Sequence, residues 1–145
     1  MKVGLFIPCY VDALYPQVGV ATSKLLHCLG VDVTYPPKQT CCGQPMANAG
    51  FERMSRPLVE KFEKVFKDFD YVVIPSVSCS AFIRFNYPKI LSNCTVSEKV
   101  YDVVEFLHDI LTREVSSCRQ CSQFLSWCTR VRTFVSNRTF WSSIQ

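Results

Sequence analysis

The chain has 145 residues, 48% hydrophobic and 19% charged: about one domain, able to bury a real core and not intrinsically disordered. No stretch approaches the ~18 apolar residues of a membrane-spanning helix, and the apolar opening broken by Pro8 is too short for a secretion signal. The formal charge of +4 is uneven: residues 1–112 hold 11 Lys+Arg against 11 Asp+Glu, and residues 113–145 hold five Arg and one Glu. Nucleic-acid binding therefore finds no basic, aromatic-studded patch in the first part, and no integral membrane segment is expected.

Residues 2–8 read as a short buried strand, β-branched and aromatic, ended by Pro8. A helix is predicted over 16–29, with Val20, Leu25, Leu26 and Leu29 on its apolar face and Gly30 as its C-terminal glycine. Residues 31–35 alternate as a second strand, stopped by Pro36 and Pro37, and the loop KQTCCGQPMANAG follows. From Phe51 to Phe69 the apolar residues Phe51, Met54, Leu58, Phe62, Val65, Phe66 and Phe69 recur at helical spacing. Pro57 is expected to start a fresh turn or kink that segment, and Glu60, Lys61, Glu63, Lys64, Lys67 and Asp68 to form its solvated face. A third strand is predicted over 71–75 and a short helix over 80–86. A longer helix capped by Ser97 is predicted to turn Val100, Val103, Val104, Leu107, Ile110 and Leu111 inward. The order strand–helix–strand–helix–strand–helix–helix, with short connections, predicts a three-layer α/β domain: a mostly parallel sheet of βαβ units with flanking helices.

Nine cysteines without a secretion signal argue for metal or redox chemistry in a reducing compartment, with the cytoplasm as default, and against a disulfide framework. Cys28, inside the apolar helix, reads as a small buried hydrophobe, Cys94 as a surface thiol, and His27 and His108 as surface or satisfied core histidines. Cys9, Cys41, Cys42 and Cys79 differ, because each follows a strand-like run. In a parallel sheet the carboxyl ends of the strands share one edge, so these four thiols should converge. Such a set suits an iron–sulfur cluster or another metal; structural or disulfide-forming cysteines are the plainer alternative. The vicinal pair favours a cluster over mononuclear zinc, since neighbouring side chains diverge. Gly43 suits a backbone that turns tightly or approaches an inorganic core.

The pattern C-x31-CCG-x35-C, with QTCCGQPMANAGF and PSVSCSAFIR around its later members and the opening MKVGLFIPCYVDALYPQVGVATSKLLHCLGVDV, resembles the CCG cysteine-rich domain family. Its members include heterodisulfide reductase-like and lactate-utilization iron–sulfur proteins, and the opening is similar to the lactate-utilization branch. The resemblance covers about residues 1–112. It implies a [4Fe–4S]-type cluster on Cys9, Cys41, Cys42 and Cys79, within a subunit of a cytoplasmic complex that oxidises L-lactate to pyruvate. The subunit would carry electrons between the other subunits of that complex, with the substrate site elsewhere. No acid–base pair, nucleophile–His arrangement or phosphate loop appears, so no catalytic residue is assigned. Phe82 stands where the family's closing C-x-x-C has its second cysteine. That leaves four thiols, enough for one cubane cluster and one short of the five-cysteine arrangement. A zinc-holding or assembly module, or an inactive truncated fragment, is the rival reading.

Residues 113–145 hold both tryptophans, seven Ser, five Arg and three Cys, and no Lys, Asp, Ala, Gly or Pro. Cys118 and Cys121 have a metal-ligand spacing, with Cys128 nearby, but lack turn residues around them. Family members continue with a segment resembling S-C-H-G-x-R-E-L and a second CCG module. With permitted codons, residues 124–129 read one base later give Ser-Cys-His-Gly-Val. The expectation is a CCG-type α/β domain over 1–112 followed by an atypical, frameshifted tail over 113–145; an authentic small protein with its own C-terminal ligands is the alternative.

Overall fold

The computed structural model describes residues 1–111, and the chain divides into two compact units, Met1–Val103 and Val104–Gln145. The tail with Cys118, Cys121 and Cys128 lies outside the described residues. The first unit carries β1 (Lys2–Leu5), β2 (Asp32–Thr34), β3 (Tyr71–Ile74) and β4 (Val100–Asp102). They form one sheet in the order β2-β1-β3-β4, with every neighbouring pair parallel. Between them run α1 (Cys9–Leu14), α2 (Pro16–Cys28), α3 (Gln44–Asn48), α4 (Glu52–Phe66) and α5 (Val77–Ile90). The chain runs from β1 outward to β2, then back past β1 to β3 and on to β4; with the right-handed crossovers that parallel strands require, helices cover both faces. This is the expected three-layer α/β fold. In the second unit the described residues complete a short α6 (Val103–Glu105) and a π-helical turn, Phe106–Leu111.

Both faces of a parallel sheet must be covered, which is why its central strands β1 and β3 are largely apolar, while edge strand β2 (Asp-Val-Thr) stays partly exposed. Val3 pairs with Val33 and Tyr71, and Val72 with Gly4 and Val100; Val3, Val72, Val73 and Val100 are all fully buried. Gly4 has a packing reason, since a Cβ there would lie 2.9 Å from the Phe66 ring. Without it α4 rests directly on β1. Phe62 then meets Phe6 edge-on at 5.1 Å and Tyr87 at 5.4 Å, arrangements that aromatic quadrupoles favour.

Several elements differ from the sequence expectation. Val100 begins a fourth strand, not the inner face of a helix. Ser97 caps no helix; it lies in the 3-10 turn Val96–Lys99 and donates its hydroxyl to the Cys94 carbonyl. α5 is longer than predicted and passes through Pro88, and α3 occupies part of the cysteine loop. α4 continues through Pro57 and buries Ser55, Val59, Phe62 and Phe66, while Phe51 and Met54 are exposed. On α2 the buried positions are Gly19, Thr22 and Leu26. Small residues let that helix close on β1's end, where a Cβ on Gly19 would sit 3.1 Å from Ile7, and Val20 is turned outward. Gly30, at φ 77°, is the expected left-handed residue ending α2.

Glu63 was expected on a solvated face and instead anchors a loop. Its carboxylate accepts hydrogen bonds from the Thr95 and Val96 N–H groups, the Thr95 hydroxyl and the Cys94 thiol. Burial pushes this carboxyl upward, but those donors outweigh it and hold the group below its ordinary value.

Candidate functional site

The strand order places a topological switch between β1 and β3, because the segments leaving them turn to opposite faces. Open α/β sheets bind ligands in that crevice, beyond the carboxyl ends of the strands. Cys9 opens α1 directly after β1, Cys79 lies in the first turn of α5 after β3, and Cys41-Cys42 end the long loop after β2. Three separate segments thus deliver thiols to one sheet edge, as their positions after strand-like runs suggest.

The four thiols meet two by two. The Cys9 thiol donates to Cys41 Sγ at 3.4 Å, and the Cys42 thiol donates to Cys79 Sγ at 3.6 Å. All four are free. The outer pair is accessible, with Cys9 exposed and Cys41 half-buried; Cys42 and Cys79 are buried. The pairs are neighbours, since Cys9 senses the charge of Cys79 and Cys42 that of Cys41.

Their electrostatics differ. The hydrogen bond from Cys42 pulls the Cys79 thiol down to about 6; burial opposes this, and the hydroxyls of Ser76 and Ser78 assist. Cys42, the donor in that bond and buried besides, is pushed far up. Burial also raises Cys9, reinforced by its bond to Cys41. Cys79 sits where a helix N-terminus favours thiolate, and the Ser76 hydroxyl accepts the Cys79 backbone N–H at 3.3 Å as the N-cap of α5.

Three residues hold the thiols in place. Gln39 acts as a surrogate strand beside β1: Ile7 N–H donates to its Oε1 at 2.7 Å, and its Nε2 donates to the carbonyls of Leu5 and Pro36. This ties the cysteine loop to the segment that leads into Cys9. Buried Tyr87 donates its hydroxyl to the Cys42 carbonyl at 2.9 Å; burial pushes its phenol up, so the group stays a donor. Gly43 has φ 87°, and a Cβ there would lie 3.0 Å from Ser55 Cβ, so glycine meets both a left-handed backbone and a close helix. Its N–H points to Cys41 Sγ at 3.5 Å. Neither Gln39 nor Tyr87 was identified from sequence, although Gln39 lies two positions before the vicinal cysteines.

Other candidates stand apart. Cys28, expected in the core, is exposed at the end of α2, and Cys94 is half-buried, donating to Glu63 at 3.2 Å. His27 is exposed, with its Nδ1–H able to donate to the Ser23 carbonyl at 3.0 Å, while His108 pairs with Asp109 at 2.7 Å.

Four uncrosslinked thiols are soft donors of the kind that hold a metal or an iron–sulfur cluster, two of them, Cys9 and Cys79, at the starts of helices. Among the described residues no group of three or more Cys, His, Asp or Glu side chains is set to hold a metal ion. Among those residues, too, no helix is long and apolar enough to cross a membrane.

The CCG family, described as a cysteine-rich domain, matches residues 3–84. Lactate utilization protein A of Geobacillus kaustophilus (strain HTA426) is 39% identical over 122 residues, covering 79% of this chain and 51% of the relative. The protein of that name from Bacillus pumilus (strain SAFR-032) is 40% identical over 119 residues, 77% of this chain and 50% of the relative. A third, from Halalkalibacterium halodurans, is 38% identical over 129 residues, 83% of this chain and 52% of the relative. The chain spans about half the length of the curated relatives it matches. No solved structure matches it.

Proposed function

This chain belongs to the CCG cysteine-rich domain family, and on that premise we propose that it is an iron–sulfur electron carrier of a lactate-utilization system. Cys9, Cys41, Cys42 and Cys79 are its cluster ligands. The observation that carries this reading is the delivery of four free thiols, from three segments, to one edge of a parallel sheet. Bound there, a [4Fe–4S]-type cluster supplies one-electron transfer. The chain's own part is to hold the sulfurs. Tyr87 and the Ser76 cap fix the inner pair, and Gln39 and the Gly43 turn fix the outer one, so little reorganisation accompanies a change of charge. Burial of Cys42 and Cys79 lowers the local dielectric on one side, and accessible Cys9 leaves a route for electrons on the other.

The substrate chemistry belongs to partners, the other subunits of a cytoplasmic lactate-oxidising complex. Exposed apolar residues on the elements that carry the thiols support this: Tyr10 follows Cys9 on α1, Val77 precedes Cys79 on α5, and Met46 lies on α3 after the vicinal pair. Exposed apolar patches of this kind mark interaction surfaces.

Serine substitution after anaerobic reconstitution with iron and sulfide tests the ligand set. Cys42→Ser and Cys79→Ser should lose the broad visible absorbance near ~400 nm expected of a cluster, while Cys28→Ser should keep it. Colour that persists in all four single ligand variants would remove the assignment. Stoichiometric zinc in colourless wild-type protein would support the rival, a zinc-holding assembly module.

A further inference from the structure

A cavity of about 210 Å³ lies between α3, α4 and α5. Its floor is apolar: Ala47, Phe82 and Ile90. Phe82 itself is buried. Cations line it from two helices, Arg53 and Arg56 on α4 and Lys89 on α5, with Asn86 three residues before Lys89 on the same helix face. Arg56 is engaged by Glu60 at 3.0 Å. Neither Arg53 nor Lys89 has an ion-pair partner among the described residues. Glu52 is the one acid on the rim, so the balance over Glu52, Arg53, Arg56 and Lys89, with Glu60 counted against Arg56, is one positive charge.

We propose that this cavity binds a small organic oxyanion, its head group held between Arg53 and Lys89 and its short apolar body laid on Phe82 and Ile90. A guanidinium offers a planar fork of donors matched to a carboxylate or phosphate, and an ammonium adds an adjustable point charge. Asn86 supplies a further amide donor. The apolar floor beneath a few convergent polar groups is the composition of a small-molecule site, and a bare inorganic ion would leave that floor unused. The single positive balance suits a monoanion.

The position gives the site a relation to the thiols. Cys79, Phe82, Asn86 and Lys89 recur at spacings of three, four and three along α5, one continuous helix face. The bound molecule would therefore rest one helical turn from Cys79, against the aromatic ring that flanks it. The proposal does not depend on which cofactor the thiols hold.

Titration of the full chain with four probes tests it, by calorimetry or by shifts of the α4 and α5 amide resonances. Butyrate and butyl phosphate should bind saturably, acetate and inorganic phosphate at least about tenfold more weakly, and butylammonium not at all. The stronger of butyrate and butyl phosphate identifies the head group. The double variant Arg53→Ala/Lys89→Ala should weaken the favoured probe by about tenfold or more, and Lys24→Ala, on another helix, should not change it. Both sets of side chains are exposed, so the variants retain the fold, which far-UV circular dichroism verifies. Absence of saturable binding, equal affinity in the double variant, or comparable binding of butylammonium each overturns the proposal.

Discussion

The two thiol pairs are built from the same residue type and held in opposite ways. Cys42 and Cys79 belong to the core: they are buried among Phe62, Phe82 and Tyr87 and fixed by a buried hydroxyl and a helix cap. Cys9 is exposed and Cys41 half-buried, and their spacing depends on the Gly43 turn and on one amide side chain, Gln39, bridging two loops. The inner pair is therefore coupled to global stability, whereas the outer pair can loosen locally while the domain stays folded. In an electron carrier that division is useful, because the buried side sets the environment and the exposed side faces the partner.

The largest test of this contrast is Gly43→Ala, which strikes the turn between the pairs. A left-handed alanine costs about 1–2 kcal/mol, and crowding against Ser55 adds to it, so urea denaturation should show a loss above about 2 kcal/mol. Iron binding should fall with it. Tyr87→Phe comes next: it leaves the Cys42 carbonyl buried without its donor, for which about 1–3 kcal/mol is expected. Because this is the inner pair, stability and cluster retention should decline together. Gln39→Ala should cost less, about 1 kcal/mol, and should act locally. Mass-spectrometric alkylation of the apo-protein should show Cys9 and Cys41 labelled several-fold faster in this variant, with Cys42 and Cys79 still protected. Equal acceleration at all four thiols would erase the distinction between the pairs.

Glu63 gives the smallest effect and a control that bonds Cys94 and none of the four sheet-edge thiols. Its carboxyl is held below its ordinary value of 4.5, so the anchored form contributes stability above the unfolded value. That contribution is lost as pH falls through the lower folded value. Glu63→Gln should cost under about 1 kcal/mol at neutral pH, flatten the acid side of the stability profile below the ordinary value of 4.5, and leave iron content unchanged.

Much of the fold was legible because its signals are local. Pro8, Gly30 and the Pro36-Pro37 pair punctuate strands and helices at the positions the backbone uses, and Gly43 was singled out for a turn it makes. The convergence of Cys9, Cys41, Cys42 and Cys79 could be anticipated because parallel topology brings strand ends together whatever their separation in sequence. β4 was hidden because Val100 sits in phase with the helical series Val103, Val104 and Leu107, and a three-residue strand carries too little alternation to compete. On α4, apolar residues cover more than one face, so periodicity favoured Phe51 and Met54 over Val59; packing against β1 and α5 decided otherwise. Gln39 and Tyr87 act through single long-range hydrogen bonds, which no periodicity records.

The account rests on a cluster held by the four sheet-edge thiols, and the most direct measurement is iron and acid-labile sulfide in the full chain purified without oxygen. About four of each per chain is expected for a [4Fe–4S] cluster, falling to background when Cys42 is replaced by serine. Protein that is folded, colourless and free of iron and sulfide after anaerobic reconstitution would contradict it.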